Sequence, residues 1–320
     1  MRILLTGSSG WLGRFLAPKL RSFGHIVIGL DPAPGQYTQI IGTIANANLV
    51  ERVFDDHEID AVIHCGALHK PDIARFSTQD FIDTNVTGTL NLLRAACRRG
   101  HKQFVMTSTT SLMITKEIHT GDTPDAVWLD EQTGPLEPRN IYGVTKLSAE
   151  GLCRLHHLEH GLNCIILRTS RFFPEDDDTQ RVPSGLNLKT NELLYRRLSV
   201  DDAVDAHICA LEKARDLGFG VFVISASPPF DRSDAMWLKT DAAQVIAGYF
   251  PDAAALYAKR GWQLPKSIGR VYDPSLAQTR LGFRCRVDFA AALDALRAGM
   301  DPPIVHDADY ISPSITIAAS

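Results

Sequence analysis

The 320-residue sequence predicts an α/β protein, a doubly wound parallel sheet with a smaller C-terminal part. Three observations carry that expectation. Short β-branched runs alternate with stretches of helical period through the first two thirds of the chain, a glycine-rich turn joins the first run to the first helical stretch, and the rhythm breaks after Arg168. Alternation of this kind implies right-handed crossovers and a parallel sheet.

The first strand is expected over residues 3–6, where Ile3, Leu4 and Leu5 lead into Thr6. Leu12, Phe15, Leu16, Leu20 and Phe23 then recur at helical spacing, and Gly24 stands where a helix C-terminus is often closed. Further strands are expected over 25–30, near Ile40 and Ile41, and over 61–64, 104–108 and 164–168. Beyond Arg168, an acidic and polar stretch over 175–190 precedes a helix over 201–215 and a strand over 221–225. The remainder is less regular, and 311–320 reads as a loosely docked tail. The expected division is residues 1–171 and 196–226 for the sheet unit, and 172–195 and 227–320 for the smaller part.

Composition narrows the function classes. With 45% hydrophobic and 22% charged residues and a formal charge of -4, nothing suggests a polyanion-binding surface, so no nucleic-acid partner is expected. The apolar stretch after Met1 is too short for a signal-peptide core or a membrane span, so no membrane partner is expected either. Six cysteines are scattered without a CxxC pair, which suits reduced thiols and a cytoplasmic location better than disulfides or a zinc site.

The turn Thr6-Gly7-Ser8-Ser9-Gly10-Trp11-Leu12-Gly13 lies between the first strand and the first helix. Glycines there let backbone approach a pyrophosphate, and the helix N-terminus offers unpaired N–H groups and its positive dipole end. Gly7, Ser9, Gly10, Trp11, Leu12 and Gly13 are therefore candidate cofactor-binding residues. Asp31 closes the second strand, at the distance along the chain where a carboxylate can accept hydrogen bonds from an adenosine ribose. It would repel a 2′-phosphate, and Pro32-Ala33-Pro34 supplies no arginine to neutralise one, so the expected cofactor is NAD.

Tyr142-Gly143-Val144-Thr145-Lys146 places a phenol and an ammonium four residues apart, on one face of a helix that begins near Ile141. Using a tyrosine as a base near neutrality requires roughly 4 kcal/mol of preferential phenolate stabilisation, which a lysine and a positively charged nicotinamide ring can supply. Upstream, the strand ending at Thr107 delivers Ser108, Thr109 and Thr110 at its C-terminal end, the edge where open α/β sheets bind ligands.

These residues resemble the extended short-chain dehydrogenases/reductases, including the NAD-dependent epimerase/dehydratase group, over residues 1–225. The resemblance rests on the TGxxGxxG and YxxxK motifs together with His64-Cys65-Gly66-Ala67, Asn85-Val86-Thr87-Gly88-Thr89 and Leu198-Ser199-Val200-Asp201-Asp202. It implies a Rossmann fold whose smaller part binds substrate, and NAD as cofactor. It also implies Tyr142 as acid/base, Lys146 holding the nicotinamide ribose and tuning Tyr142, and Thr109 positioning substrate. The Thr109 match is by register, so Ser108 and Thr110 stay open as substrate contacts. By the same resemblance Gly7, Gly10 and Gly13 approach the pyrophosphate, Ala67 lines the cleft, Asn85 supports the active-site strand, and a homodimer forms through the helices carrying Asn85 and Tyr142.

The chain departs from the family pattern in several places. The third strand lacks an aspartate for adenine, and the long segment over 113–138 is expected to form a loop over the cleft. Arg171 follows the sixth strand, where an arginine can bind a carboxylate or phosphate, and a surface or interdomain ion pair is its competing reading. The short connection from Pro174 to Leu198 favours a small substrate. His69 and Lys70 are further candidate substrate contacts. His156 and His160 share a helix face without a third ligand, and the acidic run over 175–178 lacks the spacing of a calcium loop. The function expected is Tyr/Lys-assisted, NAD-dependent hydride transfer at a hydroxyl of a sugar or sugar-derived substrate. Its alternatives are a nucleotide-sugar epimerase or dehydratase without net NADH release, and a non-catalytic NAD-sensing regulator.

Overall fold

A computed structural model describes residues 1–100, 103–176, 182–183 and 185–313. Among the described residues nine strands fall in chain order: β1 (Arg2–Thr6), β2 (Ile26–Asp31), β3 (Ile40–Ile41), β4 (Ala61–His64), β5 (Gln103–Thr109), β6 (Val127–Leu129), β7 (Asn163–Thr169), β8 (Phe219–Ile224) and β9 (Arg270–Tyr272). Seven of them form one parallel sheet in the order β3-β2-β1-β4-β5-β7-β8, so the strand order reverses direction beside β1. That reversal opens a crevice at the C-terminal edge of the sheet, above β1 and β4.

The strands are apolar on both faces because helices cover both. Ile3, Leu5, Ile63, Val105 and Ile165 point to one side, where they pack with Leu12, Leu16, Val204 and Leu211 from the helices Trp11–Ser22 and Val200–Leu217. Leu4, Val62, Phe104, Met106 and Ile166 point to the other, against Val50, Phe54, Leu92 and Ala149. Alternation of neighbouring residues between the two clusters is the period of a strand, and each large apolar side chain so buried contributes about 1.5–3 kcal/mol.

A third apolar cluster lies in the C-terminal region, joining Leu193 and Leu194 to Phe230, Leu238, Ile246, Tyr257, Phe289 and Leu293. The region is more regular than its sequence suggested, with helices Ala235–Tyr249, Ala253–Ala258 and Phe289–Arg297. Alanine-rich stretches with few large apolar residues give a weak periodic signal, and tertiary packing supplies the rest.

The segment over 113–138 is not the loop over the cleft that its length suggested. Met113, Ile114, Ile118 and Leu129 are buried in a cluster with Val223 and Tyr272, and β6 pairs with β9 in a small parallel sheet. Glu131 accepts a hydrogen bond from the Val223 backbone at 2.6 Å, and Lys239 donates to the Gly121 carbonyl at 2.7 Å. Apolar residues within the segment dock it onto the C-terminal region instead of leaving it to move.

Candidate active site

The glycine turn is shaped by backbone contacts. Gly7 has φ +73°, and a Cβ there would lie 2.7 Å from the Gly66 nitrogen, so the position excludes other residues twice over. Gly13 has a different role from the one expected. A Cβ on it would sit 2.1 Å from the Gly7 carbonyl oxygen, so it lets the helix rest on the turn and does not itself face the cleft. Gly10 caps the helix Trp11–Ser22 without a side-chain hydrogen bond, leaving its first N–H groups available to an anion.

Gly7, Gly10, Trp11, Leu12, Asp31 and Ala67 line one continuous cleft with Ser108, Tyr142 and Lys146. Ser9 stands behind the wall. Its backbone N–H donates to Asp31 Oδ2 at 3.1 Å and its hydroxyl to the Ala33 carbonyl at 2.7 Å. The Ala33 N–H donates to Asp31 Oδ1 at 2.8 Å, so the carboxylate is held from two sides. Burial raises the Asp31 pKa while these two N–H groups oppose the rise. Each carboxylate oxygen retains acceptor capacity for a ribose diol. Turn, helix end and carboxylate together fit an adenine dinucleotide without a 2′-phosphate.

At the other end of the cleft stands the helix Ile141–His160, capped by Asn140, whose Oδ1 accepts from the Gly143 N–H at 3.0 Å. Tyr142 and Lys146 emerge one turn apart. The Thr109 side chain stands near enough to the Tyr142 hydroxyl to favour its ionised form. Burial pushes the phenol up to about 12, Thr109 opposes the rise, and the Asp72 carboxylate adds to it. Burial brings the Lys146 ammonium down to about 8, opposed first by Glu150. Lys146 Nζ donates to the Thr107 carbonyl at 2.6 Å, which leaves two of its three N–H donors for a ligand.

Behind this pair lies a network the sequence reading missed. Glu150 accepts from Ser108 Oγ at 2.6 Å and from Arg168 Nε and Nη2 at 3.1 and 2.8 Å, all three side chains being buried. It ties the helix Ile141–His160 to β5 and β7. Tyr142, Lys146 and Glu150 follow at spacings of four, a helical signal that was present in the sequence. Asn85 fixes the same helix from the opposite side, donating to the Leu68 carbonyl at 2.8 Å and to Thr145 Oγ1 at 3.0 Å while accepting from the Leu68 N–H. It sits in a π-helical turn over Ile82–Thr87, where the widened backbone re-aims its side chain toward the β4 loop.

Other expected contacts are placed differently. Thr110 is buried with its hydroxyl on the Thr169 carbonyl at 3.3 Å, turned away because the chain leaves β5 there and winds into a short helix. Lys70 is exposed beyond the cleft wall, whereas His69 lies on it, stacked on Phe173 with ring centroids 5.0 Å apart. Arg171 is half-buried outside the wall, bridged through its backbone to Arg197 beside the fully buried Glu192–Arg197 ion pair. Its place in the wall is taken by Phe172 and Phe173, which stack at 4.6 Å. Asp72 is fully buried at the start of a short helix, with Oδ2 accepting from the His69 N–H at 2.8 Å. Of the acidic run over 175–178, Asp177 and Asp178 lie outside the described residues, as does 314–320 of the tail. Ser312 and Pro313, at the start of that tail, line the cleft.

Among the described residues, no three His, Cys, Asp or Glu side chains group as metal ligands would, and no helix is long and apolar enough to cross a membrane. His156 is buried with Nδ1 2.9 Å from the Leu152 carbonyl.

Sheet, phosphate turn and Tyr–Lys helix define the class: a dinucleotide-binding α/β enzyme. The chain belongs to the NAD dependent epimerase/dehydratase family, whose profile matches residues 3–225. A dTDP-glucose 4,6-dehydratase of Streptomyces antibioticus is 30% identical over a match covering 92% of this chain and 90% of that protein. A uronate dehydrogenase of Pseudomonas syringae pv. tomato is 25% identical, with 63% of this chain and 70% of that protein covered. The matched stretch is as short as 48% of the length of another curated relative. In fold, the chain is similar to a short-chain dehydrogenase/reductase superfamily protein from Agrobacterium tumefaciens solved with bound NAD, with TM-score 0.67 at 22% identity over 93% of this chain and 98% of that one. The protein is an enzyme of this family with NAD as its cofactor.

Proposed function

We propose that the protein oxidises a hydroxyl of a sugar or sugar-derived substrate, with Tyr142 removing the hydroxyl proton. The observation that carries this reading is the placement of Tyr142 and Lys146 on the same cleft as the glycine turn and Asp31. NAD, when bound, supplies the hydride acceptor. Thr109, beside Tyr142, positions the substrate hydroxyl against the phenol. Lys146 holds the nicotinamide ribose through its remaining N–H donors and lowers the phenol's pKa by its charge. His69 and the Phe172–Phe173 stack form the substrate wall, and Arg171, one residue outside it, is the anion-binding candidate for a substrate carboxylate or phosphate.

Two outcomes divide the family. The short connection after Pro174 and the similarity to a uronate dehydrogenase support a small free sugar or sugar acid with net release of NADH. The nearly full-length similarity to a dTDP-glucose 4,6-dehydratase supports a nucleotide-linked sugar with the reduced cofactor reoxidised in place. A turnover screen with NAD against both substrate panels, following NADH fluorescence and product mass together, separates them. Net NADH from a free sugar acid establishes the first; isomerised or dehydrated nucleotide sugar without net NADH establishes the second. No turnover in either panel, with NAD bound, would overturn the sugar-substrate reading.

The remaining assignments follow the same line. Residues 172–195 and 227–320 are assigned to substrate binding. Val144, Leu155 and Leu158 are exposed on one face of the catalytic helix, and we place the contact of a homodimer there, read by sedimentation at micromolar concentration. The cytoplasm is the compartment that suits six free thiols.

A further inference from the structure

Residues 307–313 run from the C-terminal region back to the glycine turn. The Asp307 N–H donates to the Pro174 carbonyl at 3.0 Å, just past β7, and the Tyr310 N–H closes a turn on the Asp307 carbonyl at 3.3 Å. Tyr310 then meets Trp11 edge to face, with ring centroids 5.1 Å apart. The Arg14 guanidinium lies 4.2 Å from the Trp11 ring centroid, 5.2 Å from that of Tyr310 and 5.7 Å from that of Phe15. Trp11 is anchored in turn by its Nε1–H, which donates to the Phe172 carbonyl at 3.1 Å. One cation thus holds a C-terminal tyrosine onto the first residue of the phosphate-binding helix.

Tyr310, Ser312 and Pro313 line the same cleft as Gly7, Gly10 and Asp31. Tyr310 stands in that cleft wall against Trp11, the first residue of the helix that follows the glycine turn. The segment therefore lines the groove beside the helix N-terminus where the glycine turn would receive a diphosphate. Arg14 stands outside the cleft, exposed, so its contacts act on the aromatic rings and not on the groove itself.

We propose that residues 307–313 are a clasp on the cofactor, latched by Arg14 between Trp11 and Tyr310, whose release sets the rate at which NAD and NADH exchange. The inference rests on NAD binding at the glycine turn and is independent of which sugar is oxidised. Opening the latch would move Tyr310, Ser312 and Pro313 off that side of the groove and speed cofactor exchange. An enzyme that must return its hydride to the same substrate needs such retention; one that releases NADH at each turnover is slowed by it.

The test is the dissociation rate of preloaded NADH, chased with excess NAD and followed by NADH fluorescence, in wild type, Arg14→Ala, Tyr310→Ala, Tyr310→Phe and the Arg14→Ala/Tyr310→Ala double variant. Loss of either latch partner is expected to speed release about tenfold, given one edge-to-face ring contact and a cation held against three rings. The double variant is expected to release no faster than Tyr310→Ala, because both changes open one latch, and Tyr310→Phe is expected to stay near wild type, because it keeps the ring. Circular dichroism melting curves that match wild type establish that the variants are folded. Release from Tyr310→Ala at the wild-type rate overturns the clasp while leaving NAD binding intact. A wild-type protein that takes up no NADH in the initial titration overturns the cofactor assignment and the clasp with it.

Discussion

The two ends of the cleft are built in different ways. The cofactor end is assembled from backbone over a short span: Gly7, Gly10, Gly13 and Asp31 fall within one strand-turn-helix-strand unit, and their roles follow from φ angles, N–H groups and one carboxylate. The end proposed for catalysis and substrate is assembled from side chains far apart in the chain, with Asp72, Thr109, Tyr142, Glu150 and Phe172 meeting only in the fold. An end defined by local backbone geometry tolerates wide variation elsewhere. An end defined by distant side chains depends on the network that orients them.

That difference predicts where the molecule is most easily broken. Glu150→Ala leaves the buried Arg168 guanidinium without its carboxylate and frees Ser108, and removing one member of a buried ion pair costs about 3–5 kcal/mol. Urea denaturation should read that loss, and an unchanged midpoint would show that the catalytic helix is held by packing alone. Asp31→Ala should weaken NAD binding by roughly 10–100-fold, the worth of hydrogen bonds to a charged group, with little change in NADP binding. Isothermal titration with both cofactors checks it; an equal loss for both would mean that Asp31 only props up the turn through Ser9 and Ala33.

The smallest effect is a pH dependence of folding. Burial, with Lys146 nearby, pushes His64 down to about 3, and burial pushes His207 down to about 4. Both imidazoles are neutral in the folded protein and hydrogen-bonded, His64 to Thr6 and Thr89 and His207 to Thr107 and the Ala203 carbonyl. Unfolded histidines take up protons below about 6.5, so the stabilisation is complete above that pH and is lost as pH falls below it. Between pH 8 and pH 6 the loss for the pair is about 1–2 kcal/mol, read as a fall in denaturation midpoint, and His207→Gln should roughly halve it. A midpoint independent of pH in that range would place protonated histidines in the folded core.

The same contrast explains what was legible in the sequence. The strands of the large sheet lie within about two residues of their expected limits, and the catalytic helix begins at Ile141, because period and capping are local signals. Glu150 was legible by its helical spacing from Lys146 and was passed over. Tyr310, Asp72 and the Phe172–Phe173 stack were not legible, since nothing near them in the chain says which cleft they join. Thr110 was misplaced because a Ser/Thr run carries no sign of where its strand ends, and the segment over 113–138 because its pairing partner, β9, lies more than a hundred residues away.

The central claim is that Tyr142 performs the proton transfer in a cleft that binds NAD without its help. Burial pushes the phenol up to about 12, so the drop needed for catalysis must come from positive charge brought against it, as a bound nicotinamide ring would supply. The direct measurement is Tyr142→Phe, with turnover of the substrate found in the screen and NAD affinity determined on the same preparation. The account predicts a loss of about 10²–10⁴-fold in kcat, the usual worth of a positioned acid/base, with NAD affinity within a few-fold of wild type. Retained turnover, or an equal collapse of turnover and NAD binding, would contradict it.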